Sequence, residues 1–142
     1  MNAIAKNALV VIFGLIVGSV VNMGLVNIGP SVVPLPEGAD VTTLKGLRES
    51  MKLFTPADFI FPFLGHALGT LAGAFATAML AGRHQMKLAL VIGMLFLAGG
   101  ISMVFMAGGP AWFIATDLFL AYLPMSFIGG LIADRFKGDK TS

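Results

Sequence analysis

The sequence contains no cysteine, only two histidines, one tryptophan and one tyrosine, and charged residues make up just 11% of it. Without cysteine there is no disulfide, no thiolate metal site, no thiol redox chemistry and no lipoprotein anchor. The charged fraction is under half of the roughly 25% usual in soluble domains. The formal net charge is only +2. No basic run with interleaved aromatics occurs, so no nucleic-acid role is assigned.

What is present instead is apolar. Hydrophobic residues make up 57% of the 142 positions, against roughly 45–50% in soluble domains. There are also 18 glycines, which membrane helices tolerate well. A chain this apolar cannot cover its surface with polar groups. The composition predicts an integral membrane protein, read here as a single transmembrane domain over 1–142, with the lipid bilayer as its first partner.

A bilayer crossing takes about 20 apolar residues. Four segments qualify, at about 8–28, 57–81, 86–107 and 111–133. The first follows Lys6 as a signal peptide would, but its run is long for that and no A-x-A-like site follows, so it reads as a retained helix. "TPAD" at 55–58 places Thr55 at an N-cap, Pro56 at N1 and Asp58 at N3, a helix start. Gly82 ends the second segment. "GGP" at 108–110 stops the third and starts the fourth with Pro110 near N1. Trp112 follows, where an interfacial aromatic belongs.

Lysines and arginines set the expected orientation. With the N-terminus inside, Lys6, Arg83, Lys87, Arg135, Lys137 and Lys140 fall in the cytoplasm. Only Lys45, Arg48 and Lys52 fall outside, offset by Glu37, Asp40, Glu49 and Asp58. The fold class is therefore all-α: a four-helix membrane bundle, both termini cytoplasmic, located in the bacterial inner membrane. The long external connection, 29–55, begins with a polyproline-like stretch. Residues 40–54 then read as a short amphipathic helix capped by Asp40, with Leu44, Leu47, Met51 and Phe54 on one stripe. It can be a tethered loop, a lid over an external opening or a docking surface.

Glycine spacing marks packing faces. Gly14 and Gly18 are four apart in the first helix. Gly65, Gly69 and Gly73 form a double G-x-x-x-G in the second, and Gly93 and Gly100 lie seven apart in the third. Gly129 and Gly130 come late in the fourth. Such ladders let helix backbones approach in lipid, where no hydrophobic force joins helices. Their number makes a homo-oligomer or association with other membrane subunits plausible.

Polar residues within the spans are few, and Asn22, His66, Thr70, Thr77, Asp117 and Tyr122 stand out. Asn22, His66 and Asp117 lie about seven, nine and six residues below the outer ends of their helices, so at about 1.5 Å per residue they share a depth. His66, Thr70, Gly73 and Thr77 form one helical stripe, and Asp117, Ala121 and Pro124 another. A lone carboxylate in hydrocarbon is expensive, and a histidine or asparagine partner relieves that. The expectation is that Asp117 meets His66, with Asn22 nearby. Histidine titrates near neutral pH, so the cluster could couple protons to a conformational change. It could equally be a hydrogen-bonded network that fixes helix register. No serine, cysteine or second carboxylate completes a catalytic set, so no enzyme, metal or cofactor is assigned. His84, beside Arg83 and Lys87, reads as a solvated loop residue.

The sequence thus supports two functions. One is a small proton- or solute-linked transporter or channel-like oligomer, with Asp117, His66, Asn22, Thr70 and Tyr122 as its site. The other is a non-catalytic accessory or assembly subunit of a larger membrane complex.

Overall fold

The computed structural model describes residues 1–138; Lys140, counted above among the cytoplasmic charges, lies outside them. The described residues are helical, with no strand. The elements are α1 (Ala3–Val32), α2 (Leu44–Ser50), α3 (Ile60–Leu80), α4 (Gln85–Ala107), α5 (Ala111–Leu120) and α6 (Leu123–Gly138), with short 3-10 turns at Met51–Leu53 and Pro56–Phe59. Four stretches are long and apolar enough to cross a membrane: Ala3–Val32, Pro56–Leu80, Gln85–Ala107 and Ala111–Gly138. Phe105 and Phe119 are 83% and 77% exposed. In water such faces would be costly, whereas lipid accepts them.

α3 is the central helix and packs against α1, α4 and α6. Its face toward α1 is made of glycine. A β-carbon on Gly69 would lie 2.7 Å from the Gly18 carbonyl oxygen, and one on Gly18 would lie 2.7 Å from that of Gly69. Gly14 and Gly73 oppose each other in the same way, at 2.7 and 2.6 Å. Gly65 sits against Asn22, whose Oδ1 would be 2.7 Å from an added β-carbon. Any side chain at these positions would push the two helices apart, which is why glycine is needed there. α4 meets α6 and the turn before it similarly: Gly93 receives Ser126 of α6, and Gly100 receives the ring of Tyr122 in the turn, 2.7 Å from where a β-carbon would stand. The glycines of the ladders, at 14, 18, 65, 69, 73, 93, 100, 129 and 130, face neighbours inside this chain.

The ends are closed by identifiable bonds. Asp58 Oδ2 accepts from the Thr55 amide (2.7 Å) and hydroxyl (2.8 Å), completing the capping box read from "TPAD". Lys137 Nζ donates to the carbonyls of Ala78 and Ala81 (2.8 and 2.7 Å). A cation there satisfies carbonyls left open at the end of α3 and suits its dipole. These bonds bring the end of α6 to the α3–α4 turn, and Lys6 near the start of α1 reaches the same end, beside Gly82. Gly108 and Gly109 carry φ of 76° and 145°, which glycine adopts without strain, so the chain can reverse into α5.

Several local expectations need correction. α1 runs past Pro30 to Val32 instead of ending near 28. Proline's fixed φ suits a helix, and Gly29 holds this turn tightly against Phe61. α2 is short, and its cap is Thr43, whose hydroxyl accepts from the Gly46 amide at 2.9 Å. Asp40 instead organises the turn before it, accepting from the Thr42 amide and hydroxyl at 2.9 and 2.6 Å. That pair of bonds holds the Asp40 carboxyl below its ordinary pKa. Ser50 ties the two ends of this segment by accepting from the Asp40 amide at 2.8 Å. α3 ends at Leu80 with Ala81 as its cap, and the left-handed residue of the following turn is the exposed His84, φ 57°, not Gly82. Pro110 stands at the N-cap of α5, not at N1.

The fourth span is the largest departure. It is not one helix over 111–133 but two, broken at Ala121 and Tyr122. Pro124 explains the break. It donates no amide hydrogen bond, and its ring clashes with the carbonyl four residues back, that of Leu120. The chain restarts as α6 with Pro124 in its first turn, where the missing donor is harmless.

Candidate functional site

His66 and Asp117 meet across the α3–α5 contact, with His66 Nδ1 2.8 Å from Asp117 Oδ1. The Tyr122 hydroxyl donates to the other carboxylate oxygen, Oδ2, at 2.9 Å. The His66 and Tyr122 rings stack with centroids 5.8 Å apart. Asp117 is 5% exposed and Tyr122 2%, while the His66 side chain is 25% exposed. The carboxylate is thus shielded by its two partners, and the imidazole is the part of the cluster open to a visitor. The ring is bonded to Asp117 through Nδ1, which leaves Nε2 for another partner.

The break in the fourth span builds this arrangement. Tyr122 follows Asp117 by five residues. On a continuous helix, at about 100° per residue, the two would lie roughly 140° apart and could not touch. The turn at 121–122 swings the phenol back onto the carboxylate. Gly100 of α4 makes room for the ring, and Tyr122 is among the largest fully buried side chains.

The other polar residues stand apart from this triad. Thr70 donates its hydroxyl to the His66 carbonyl at 2.7 Å, a bond within α3. Threonine commonly bonds back to the preceding turn in this way. Thr77 reaches the Val10 carbonyl at 3.4 Å, further along the α1–α3 contact. Asn22 lies beside the site but bonds neither His66 nor Asp117; among the described residues its Oδ1 is buried without a hydrogen-bond partner.

Two spaces open onto His66. One, about 210 Å³, is lined by Asn22, His66, Phe96, Gly99, Gly100, Met103 and Tyr122. The other, also about 210 Å³, includes His66, Asp117, Phe113 and Met103, and is roofed by Leu47, Met51 and Phe54. Those three come from the apolar stripe of the connection between α1 and α3. The Arg48 guanidinium on the same segment donates to the Met106 carbonyl at the end of α4, so this roof is fastened to the bundle. A further space of about 310 Å³ continues beneath the segment toward α1, sharing Val26, Leu47, Phe54 and Pro62 in its wall.

Known proteins add nothing to this geometry. No family model, curated protein or solved structure matches the chain. The residues must carry the functional reading themselves. Among the described residues no three histidine, aspartate or glutamate side chains gather as metal ligands.

One wall of the site was not read from the sequence. Phe96, Gly100, Met103 and Ala107 line α4's side of the two spaces. They recur at i, i+4, i+7 and i+11, a stripe that could have been found by aligning α4 against His66 in depth.

Proposed function

We propose that this chain is a small multi-pass membrane transporter or channel-like protein, proton- or solute-linked and not an enzyme, whose working site is the His66–Asp117 pair. Asn22 and Tyr122 belong to that site, and Thr70 steadies the backbone beneath it. In this reading both termini are cytoplasmic, the membrane is the bacterial inner one, and residues 29–55 form an external cover over a site in the outer half of the bilayer. The protein works alone or as a homo-oligomer.

One observation carries the reading. A buried carboxylate is costly in a bilayer, yet this one is kept, and its histidine partner opens on two cavities instead of being sealed in apolar packing. A group that only set helix register would gain nothing from such access. The accessory-subunit reading has less support, because the glycines that would serve as docking faces are occupied within the chain.

The test is reconstitution into vesicles that hold a pH-sensitive dye. Wild-type protein should dissipate an imposed pH gradient faster than empty vesicles, and Asp117→Asn should lose that effect while eluting as the same folded species. An unchanged rate in the variant would remove Asp117 from the mechanism. Orientation is separately testable because the chain lacks cysteine. A membrane-impermeant thiol reagent applied to intact cells should label Lys45→Cys and leave Arg83→Cys untouched.

A further inference from the structure

The chamber roofed by Leu47, Met51 and Phe54 has one polar wall. It measures about 210 Å³, and of its lining residues only His66 and Asp117 have polar side chains. The rest is apolar, with Phe54, Phe59 and Phe113 as its aromatic side. Arg48, on the covering segment, is spent on the Met106 carbonyl. Asp58 and Asn27 line the adjoining space, not this one. There the Asp58 carboxylate accepts from Thr55, and the Asn27 amide donates to the Met23 carbonyl.

The polar wall offers one open position. Both Asp117 oxygens have a partner, Oδ1 the His66 ring and Oδ2 the Tyr122 hydroxyl. His66 is bonded through Nδ1, so Nε2 is its ring nitrogen without a hydrogen-bond partner among the described residues. A quarter of the His66 side chain is exposed, at 25%. A hydroxyl both donates and accepts. It can therefore bond Nε2 whichever tautomer the ring holds, and the match needs no change of protonation.

The other walls select the rest of the ligand. A charged group would shed its water and find no free counter-charge lining the chamber. A sugar would leave several of its hydroxyls unbonded. An aromatic ring meets neither obstacle. Phe54 and Phe59 already pair edge to face with centroids 5.5 Å apart, and Phe59 and Phe113 pair at 4.6 Å. A further ring can join them in the edge-to-face or offset geometry that aromatics prefer. Size fits as well. An apolar cavity of about 150 Å³ takes benzene, so a larger one holds a ring with about two or three further heavy atoms.

We infer that this chamber binds a small uncharged phenol, its ring among the three phenylalanines and its hydroxyl on His66 Nε2. The phenol enters and leaves whole, and no bond to it is made or broken. This names the solute class of the transporter proposed above and rests on that reading, but binding itself requires no turnover.

The experiment is calorimetric titration of the whole chain in phosphatidylcholine nanodiscs, with para-ethylphenol as probe and empty discs as background. At about pH 7 a phenol of pKa about 10 is uncharged. Ethylbenzene lacks the hydroxyl, and para-ethylbenzoate and para-ethylbenzylammonium carry opposite charges. The phenol should bind saturably at one site per chain. Ethylbenzene should bind roughly three- to tenfold more weakly, the worth of one hydrogen bond. Each charged analogue should bind at least about tenfold more weakly. His66→Phe keeps a ring but removes Nε2, and should make phenol and ethylbenzene bind alike. Val104→Phe fills the chamber from α4 without touching the polar wall, and should weaken the phenol at least about tenfold. If His66→Phe does not fold, Val104→Phe and the wild-type ligand series still decide. Binding of ethylbenzene or of either ion as tight as that of the phenol overturns the inference, as does phenol binding unchanged in folded Val104→Phe. Saturable phenol binding by a protein that dissipates no gradient in vesicles would sink the transport reading alone. Gradient dissipation without saturable phenol binding would sink this inference alone.

Discussion

Gly69→Ala should be among the most damaging single-methyl additions in this protein. The added carbon would stand 2.7 Å from the Gly18 carbonyl oxygen and 2.9 Å from Asn22 Cβ. The first distance is about 0.7 Å short of ordinary contact at 3.4 Å, and the first obstacle is backbone, which cannot rotate aside. α1 and α3 must therefore separate, and the Gly14–Gly73 and Gly65–Asn22 contacts loosen with them. Overpacking of this kind costs about 1–3 kcal/mol. The control is Gly24→Ala, since a methyl on Gly24 would meet nothing within 4 Å. Alanine there should be neutral or stabilise by up to about 1 kcal/mol through helix propensity. The two variants should thus differ by about 1–4 kcal/mol. Unfolding in mixed micelles by increasing anionic detergent, followed through the fluorescence of the single tryptophan, measures the difference. Equal unfolding midpoints for Gly69→Ala and Gly24→Ala would refute the packing argument.

Tyr122→Phe removes the hydroxyl that donates to Asp117 Oδ2 and should destabilise the protein by about 1.5–3 kcal/mol, the range for a hydrogen bond to a charged group; a loss below about 0.5 kcal/mol in the same unfolding assay would mean the bond is not made. Arg48→Ala frees the covering segment from the Met106 carbonyl and should speed amide exchange in Leu44–Ser50 while α3 and α4 stay protected, so uniform protection across both proteins counts against a fastened roof. The Asp40 turn should resist acid. Its carboxyl is held below the ordinary value by the Thr42 hydroxyl and amide, so the turn is at full strength above the unfolded pKa of about 3.9. It loosens only as pH falls through the lower folded value, and a Thr42 amide resonance that already shifts at pH above about 5 would contradict this.

How much of this was written in the sequence varies with the range of the interaction. The spans and caps were legible because they depend on neighbours a few residues apart: "TPAD" makes its capping box from Thr55 and Asp58 alone. The meeting of His66 and Asp117 could be anticipated because helices of known length turn depth into a number. Pro30 and Pro124 could not be told apart in advance, although the same rule applies to both. At Pro30 the helix continues, held by Gly29 against Phe61; at Pro124 it breaks. The difference lies in what packs around each proline, and that is tertiary. Asp40 and Thr43 both suit an N-cap, and only the loop's closure through Ser50 assigned the role to Thr43. The glycine ladders showed that close packing occurs but not which helix faces which.

The break at Tyr122 bears on whether the triad sets register or performs work. A purely structural network needs only a donor for each oxygen of Asp117, and a threonine or serine one turn away on an unbroken helix would supply one without disturbing the backbone. This chain interrupts a span instead, so that a rigid phenol five residues away covers one carboxylate oxygen while the imidazole covers the other. Loss of backbone bonds inside a bilayer is costly unless the freed groups are satisfied. In return both carboxylate oxygens are bonded and the carboxylate is nearly buried, while His66, bonded through Nδ1, lines both cavities. That division, with one group buried and one left accessible from the cavities, suits the proposed transport role and is not needed for helix registration alone.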